Sequence, residues 1–180
     1  MDLHRQPLKV AFIGGGLNSA VGYTHLSAIR LDGRFKLIAG CFSTNKEINY
    51  QSALKYGIPL EETYCNWNKM IDAIKDKIDC IIILTPIPSH KEIICSLLKY
   101  KLPIITEKSL AVSSSDCLEI MSLAKKENCF ISVIQNYNGY PLLKELAARF
   151  KRGDLGKLLQ INIEMPQEGY IRKTTNQENI

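Results

Sequence analysis

The stretch VAFIGGGLNSAVG, residues 10–22, joins an apolar run to a glycine-rich turn. The apolar residues predict a buried strand at 8–14, and residues 18–31 then predict a helix that stops before Gly33. A strand, a glycine turn and a helix in this order are typical of a phosphate-binding turn, because glycine lets a pyrophosphate approach backbone N–H groups. A dinucleotide site is therefore the first hypothesis, and an ordinary strand-to-helix turn is the alternative.

The glycines of this turn fit two registers. Gly14 and Gly16 take the first two positions of the dinucleotide fingerprint, but Ser19 stands where a third glycine is usual. A turn that is three residues longer gives the third position to Gly22, close to where the first helix would pack on the sheet. In that register the loop residues expected at the pyrophosphate include Leu17, Asn18 and Ser19.

Apolar runs alternate with amphipathic segments as far as residue 135. Strands are predicted at 35–42, 79–85, 102–106 and 129–135, and helices at 44–56, 67–76, 89–101 and from the serines before Asp116 to Glu127. Every residue from Cys80 to Leu84 is apolar, which suits a central parallel strand covered on both faces. The repeated strand–helix units predict an α/β fold with a doubly wound parallel sheet, the Rossmann architecture.

The pattern changes after residue 135. Residues 141–156 predict a helix that is closed by Gly153 or Gly156. Residues 157–166 predict a strand whose apolar residues alternate, as in an antiparallel sheet with one exposed face. One helix and one strand bury little surface by themselves. We therefore expect a nucleotide-binding domain at residues 1–135 and the incomplete beginning of a second α/β domain at residues 136–180.

Composition indicates a folded globular protein, since 46% of the residues are hydrophobic, 23% are charged and the net charge is +5. The basic residues are scattered without aromatic interleaving, and no apolar run could span a bilayer. We therefore expect no nucleic-acid partner and no membrane insertion. The six cysteines show no CxxC spacing, which favours reduced thiols in a cytoplasmic protein without a metal site.

The end of the second strand bears on the choice between NAD and NADP. An acidic residue usually holds the adenosine ribose there, but residues 41–46 contain none. Ser43 and Thr44 could hydrogen-bond a ribose or a 2′-phosphate, and Lys46 could supply positive charge. The alternative is that these residues only cap the next helix, with Thr44 as its N-cap. The cofactor choice stays open, with a preference for NADP.

Two more strand ends carry candidate residues. Thr85, Pro86 and His90 follow the apolar strand at the edge where such sheets bind ligands. His90 either faces the cofactor or is satisfied by backbone groups at the start of a helix. Glu107 and Lys108 follow the next strand, and either the pair is an exposed ion pair or the lysine points at the reacting carbons of cofactor and substrate.

The chain resembles the Gfo/Idh/MocA oxidoreductases in four segments taken in order, residues 12–43, 79–93, 107–112 and 137–158. Members typically carry a Glu-Lys-Pro segment; Glu107 and Lys108 match its first two residues, and Ser109 replaces the proline. The resemblance implies a Rossmann domain followed by an α/β domain with an open, mostly antiparallel sheet. It also implies hydride transfer between NAD or NADP and a sugar, cyclitol or related polyol.

The resemblance also implies roles for single residues. Lys108 would bind near the nicotinamide with Glu107, contact the substrate hydroxyl and help to place or polarise it. His25 falls near a family histidine that follows the glycine turn. Three residues at the domain junction would border the substrate cleft, although the last of them could simply start the following helix: Asn136, Tyr137 and Tyr140.

The length of the chain sets two further expectations. The family's acid/base group comes from a late segment of the second domain, beyond Ile180, so this chain alone should bind nucleotide without turnover. With a complete second domain, a homodimer or homotetramer is expected. The alternative function is a non-catalytic dinucleotide-binding sensor or regulatory module.

Overall fold

A computed structural model describes residues 6–31 and 33–166. Five parallel strands form one sheet in the order β2-β1-β3-β4-β5. The strands are β1 Leu8–Gly14, β2 Phe35–Cys41, β3 Cys80–Leu84, β4 Ile104–Thr106 and β5 Ile131–Val133. The chain builds outward from β1 in both directions, so the strand order reverses between β1 and β3. This confirms the predicted doubly wound α/β fold.

Six α-helices of the described residues connect or follow the strands. They are α1 Gly22–Leu31, α2 Lys46–Tyr56, α3 Trp67–Ile74, α4 His90–Leu98, α5 Ser114–Glu127 and α6 Pro141–Arg152. None of these helices combines the length and the apolar character that a membrane crossing requires.

Local side-chain contacts decide where the helices begin. The N-cap of α2 is Asn45, whose side chain accepts a hydrogen bond from the Ile48 N–H, so the expectation that Thr44 caps this helix is wrong. The helix predicted from residue 18 begins only at Gly22, and residues 17–21 belong to the turn before it. The structure therefore has the longer of the two turns that the sequence allows.

The core lies on both faces of the sheet. On one face, Ile81 and Ile83 pack with side chains of α3 and α4, including Ile71 and Leu97. On the other face, alternate strand residues such as Phe12 and Ile82 pack with side chains of α1 and α2. All five residues of β3 are buried, as the continuous apolar run predicts.

Residues 136–180 form a second compact unit, of which residues 136–166 are described. Its helix α6 ends at Gly153, which has a φ of 82° and donates its N–H to the carbonyls of Arg149 and Phe150. Of the two closing glycines that the sequence allows, the structure has the first, because the left-handed Gly153 closes the helix.

The strand predicted at residues 157–166 is not formed. Its four alternating apolar side chains are between 53% and 88% exposed: Leu159, Ile161, Ile163 and Met165. A β-strand needs hydrogen bonds from a neighbouring strand, and no described strand pairs with this segment. The sequence pattern was suited to a sheet, but pattern alone does not supply the partner.

Candidate functional site

A cavity of about 490 Å³ lies where the carboxyl ends of β1, β2 and β3 meet. Its walls are the glycine turn after β1 and the segments that follow β2 and β3. This position is where the strand order reverses, which is where open α/β sheets bind their ligands. Eight of the predicted cofactor residues line the cavity: Gly14, Gly16, Asn18, Ser19, Ser43, Thr44, Thr85 and Pro86.

The glycine turn is open at its start because Gly14, Gly15 and Gly16 have no side chains. Gly14 has a φ of 82°, and a Cβ there would lie 2.8 Å from the Leu84 carbonyl carbon. A Cβ on Gly16 would lie 2.9 Å from the Phe42 carbonyl oxygen. Sequence reasoning chose these two glycines and missed Gly15, which also lines the cavity and has a φ of 76°. The turn thus leaves its backbone accessible to a ligand.

Gly22 lets α1 start directly against this turn. A Cβ on Gly22 would lie 2.0 Å from the Gly15 carbonyl oxygen, a distance that no side chain can adopt. Ser19 closes the same helix end, since its Oγ accepts hydrogen bonds from the N–H groups of Val21 and Gly22 at 3.3 and 3.2 Å. Ser19 lines the cavity, and its hydroxyl proton is free to donate a hydrogen bond to a ligand there. Gly22 does not line the cavity.

Helix α2 holds the glycine turn through two buried polar side chains. The Tyr56 hydroxyl donates to the Gly15 carbonyl oxygen at 2.8 Å. The Ser52 Oγ accepts from the Leu17 N–H at 2.9 Å and donates to the Ile48 carbonyl. Both side chains are fully buried. They fix a turn that has few side chains of its own.

A third residue of the same helix face, Asn49, holds the segment after β2. Its Oδ1 accepts from the Phe42 N–H at 2.7 Å and from the Ser43 N–H at 3.3 Å, and its amide nitrogen donates to the Tyr64 carbonyl. Sequence reasoning missed all three α2 residues. Their spacing of i, i+3 and i+7 places them on one helix face, and burial of that face is the information the sequence lacked.

The cavity wall after β2 carries no charge. Burial, reinforced by the nearby Cys65, raises the pKa of the Cys41 thiol to about 11, so this lining residue is protonated at neutral pH. No carboxylate is among the residues that line the cavity. Lys46 is exposed at the first position of α2 and does not line the cavity. The wall fits either a ribose or a 2′-phosphate, since nothing in it repels an anion.

His90 lies outside the cavity, fully buried at the start of α4. Its Nε2 is 2.8 Å from the Thr85 carbonyl oxygen, and its Nδ1 is 2.8 Å from the Ser109 carbonyl oxygen. Of the two positions that the sequence allows for this ring, the structure has the one satisfied by backbone groups. Thr85, which lines the cavity, is thereby tied to the segment after β4.

Glu107 does not form an ion pair with Lys108, which is one of the two alternatives that the sequence allows for these residues. Its Oε1 is 2.6 Å from His25 Nε2 on α1, and its Oε2 accepts the Lys108 backbone N–H at 3.2 Å. Both side chains are nearly buried, with exposed fractions of 13% for Glu107 and 11% for His25. Lys108 is exposed, and its ammonium group has no hydrogen bond or ion pair with any residue of the described ranges. Neither Glu107 nor Lys108 lines the cavity.

The residues predicted at the substrate cleft belong to the second unit. Asn136 and Tyr137 lie in the short 3₁₀ helix Asn136–Gly139, and Tyr140 directly precedes α6. The two tyrosine rings have their centroids 6.0 Å apart and are both about half exposed. Tyr140 therefore does start the helix, and a role in a cleft stays a prediction.

Comparison with known proteins decides the family. Residues 8–135 match the GFO_IDH_MocA family, described as an oxidoreductase family with an NAD-binding Rossmann fold. The chain belongs to the Gfo/Idh/MocA oxidoreductases. The match covers all five strands of the parallel sheet, and it confirms the resemblance that the four sequence segments indicate.

Individual relatives agree with this assignment to the Gfo/Idh/MocA family. The chain is 30% identical over 163 residues to the uncharacterized oxidoreductase YfiI of Bacillus subtilis. This alignment covers 88% of the chain and 42% of YfiI. It is 27% identical to an inositol dehydrogenase homologue from Azotobacter vinelandii complexed with NAD⁺, with a TM-score of 0.80, covering 84% of this chain and 40% of that one.

The same Azotobacter protein, complexed with NADH and myo-inositol, aligns with a TM-score of 0.79 at 27% identity, over 84% of this chain and 41% of that one. The chain therefore spans about two fifths of the length of these relatives.

The close approach of Gly22 to Gly15 predicts an unequal pair of variants. Gly22→Val should lower the free energy of unfolding by about 3 kcal/mol or more, because the new side chain meets backbone. Ser19→Ala removes one helix cap and should cost about 1 kcal/mol. Urea unfolding measures both, and equal losses would contradict the observed contact.

The hydrogen bond from Tyr56 predicts an effect on both folding and ligand binding. Tyr56→Phe leaves the buried Gly15 carbonyl without its donor and should cost about 1–2 kcal/mol of unfolding free energy. Affinity for NADH should fall about fivefold as the turn loses its support. Tyr64→Phe is the matched control, since within the described residues that hydroxyl hydrogen-bonds only Glu62, at 3.4 Å. Unchanged NADH affinity in Tyr56→Phe would argue against a supporting role.

Proposed function

We propose that the chain is the nucleotide-binding part of an NAD- or NADP-dependent oxidoreductase that acts on a sugar, a cyclitol or a related polyol. The observation that carries the proposal is the side-chain-free turn of Gly14, Gly15 and Gly16, which opens onto the cavity at the reversal of strand order. Membership of the Gfo/Idh/MocA family supports the reaction class, and the inositol-binding relative supports the substrate class.

The residues of the cavity fit a dinucleotide. The backbone of the glycine turn and the Ser19 hydroxyl would hold the pyrophosphate, because they present donors without intervening side chains. Ser43 and Thr44 would bind the adenosine ribose, and the side chain of Thr44 has no competing hydrogen bond among the described residues. Thr85 and Pro86 would form the opposite wall.

A nicotinamide bound here supplies a ring carbon that accepts or donates hydride. Lys108 follows the carboxyl end of β4, the strand beside β3, and its ammonium is free of protein partners within the described ranges. In the proposed enzyme this cation binds the substrate oxygen and stabilises negative charge on it. The general acid/base lies outside the residues that we assign, so proton transfer is left to another part of the enzyme.

The remaining assignments follow from the same proposal. Residues 1–135 are the nucleotide-binding domain, and residues 136–180 begin a second α/β domain that contributes Asn136, Tyr137 and Tyr140 to the substrate cleft. The complete enzyme forms a homodimer or homotetramer through that second domain. We place the enzyme in the cytoplasm, a proposal that its six unpaired cysteines support.

Nucleotide titration tests the proposal. We expect NADH or NADPH to bind the chain, with a change in nicotinamide fluorescence, and Gly16→Val to weaken that binding about tenfold or more by filling the turn. Gly139→Val is the matched control, since no atom lies within 4 Å of a Cβ at that position. Failure of the chain to bind either nucleotide would refute the proposal.

A polyol and sugar panel, assayed with the nucleotide that binds, then separates an oxidoreductase from a non-catalytic sensor. The assay uses the chain together with the complete second domain. Nucleotide binding with no turnover on any polyol or sugar would favour the sensor.

Lys46 predicts which nucleotide is preferred. It is a cation at the start of α2 without an ion-pair partner in the described part of the chain, and no lining carboxylate opposes a 2′-phosphate. We therefore expect tighter binding of NADPH, and Lys46→Glu should weaken NADPH about tenfold while changing NADH little. An equal effect on both nucleotides would rule out contact between Lys46 and the 2′-phosphate.

A further inference from the structure

We propose that His25 and His90 are positioning residues that hold the segment of residues 107–109 from two sides and thereby set the place of the Lys108 ammonium. The inference rests on the proposed function, because it concerns how this lysine meets a bound nucleotide. Neither histidine lines the cavity. Each acts through the segment that it holds.

The first attachment is the side chain of Glu107. Its backbone N–H donates to the Ile83 carbonyl at 3.0 Å, which continues the β3–β4 ladder by one residue. Its carboxylate then divides between two partners, with Oε1 2.6 Å from His25 Nε2 and Oε2 accepting from the Lys108 N–H at 3.2 Å. Because the carboxylate is nearly buried, these bonds are worth more than those of an exposed pair.

The second attachment is the carbonyl of Ser109. It lies 2.8 Å from Nδ1 of the fully buried His90, whose Nε2 is 2.8 Å from the Thr85 carbonyl. Carbonyl oxygens only accept, so the ring donates to both as an imidazolium and to one of them as a neutral imidazole. In either state the ring occupies the space between two loops and keeps them at a fixed separation.

Both attachments lead back to the cofactor cavity. His25 lies on α1, three positions after the glycine that packs against the turn, and Thr85 lines the cavity itself. The backbone on either side of Lys108 is therefore tied to the elements that form the nucleotide site. The ammonium in the middle is the free group of the arrangement, with no partner in the described ranges. The backbone is therefore held on both sides of a lysine whose side chain is left without a protein partner in the described ranges.

Chemical labelling of Lys108 tests the inference without turnover. The purified chain is acetylated with acetic anhydride, with and without a saturating amount of whichever of NADH and NADPH binds more tightly, and the modified peptides are quantified by mass spectrometry. In the wild type, bound nucleotide should slow acetylation of Lys108 about tenfold. Lys36 is the internal control, because it is exposed near the amino end of β2, whereas the cavity lies at the carboxyl end. It should react equally in both samples.

The variants separate positioning from binding and from stability. In His25→Leu the nucleotide affinity should stay within about twofold of wild type, while protection of Lys108 should fall to about twofold or less. His25→Gln retains a donor for Glu107 and should regain the protection. Leu26→Val, the next residue of α1, lowers the melting temperature through the core and should leave the protection intact.

His90→Leu provides a second test at the other attachment, because leucine cannot donate to either carbonyl, and the same loss of protection is expected. Protection that persists in both His25→Leu and His90→Leu would overturn the inference. So would its loss in Leu26→Val, since the lysine would then report only general destabilisation. Nucleotide binding without protection of Lys108 in the wild type would also overturn it while leaving nucleotide binding in place. If neither nucleotide binds, the proposed function itself fails.

Discussion

The contact between Gly22 and the Gly15 carbonyl is the constraint on which the nucleotide site depends. A Cβ at Gly22 would come within 2.0 Å of that oxygen, so the first helix can meet the turn only through a residue that has none. The same oxygen accepts the Tyr56 hydroxyl from α2. One carbonyl thus brings together the turn and two helices, and the cavity forms around the turn that these contacts hold.

Helix α2 shows how a site without side chains is kept in shape. Its buried face carries the polar side chains of Asn49, Ser52 and Tyr56. Apolar side chains at these positions could also pack against the sheet, so packing alone does not explain the polar groups. Each polar group finds a backbone partner in one of the two loops that line the cavity, so none is left unsatisfied. Burial makes these hydrogen bonds directional constraints. The edge-on contact between the Phe42 and Tyr56 rings, 5.3 Å between centroids, adds to the same attachment.

The parallel sheet could be predicted from the sequence because its signals are local. The continuous apolar run of β3 and the glycine turn after β1 each specify their structure within a few residues. Contacts between distant residues carry no such signal. The hydrogen bond between His25 and Glu107 joins residues 82 positions apart, whereas the sequence offered only the adjacent Lys108 as an ion-pair partner for Glu107. The strand prediction for residues 157–166 was wrong for a related reason, since alternating apolar residues specify which face of a strand is buried but not which strand it pairs with.

The position of His90 shows why a polar residue at a strand's carboxyl edge need not touch the ligand. A histidine there has two ring nitrogens to satisfy, and burial makes each unpaired nitrogen costly. Two backbone carbonyls from separate loops lie 2.8 Å from the two nitrogens, and the ring donates to both as an imidazolium and to one of them as a neutral imidazole. The ring then has no donor left for a cofactor, whichever protonation state it takes. Its effect on a bound ligand must pass through the loops that it joins, and one of those loops carries Lys108, whose ammonium has no partner among the described residues. Ligand-binding residues are therefore better identified by hydrogen-bond donors and acceptors that have no protein partner than by their distance from the sheet edge.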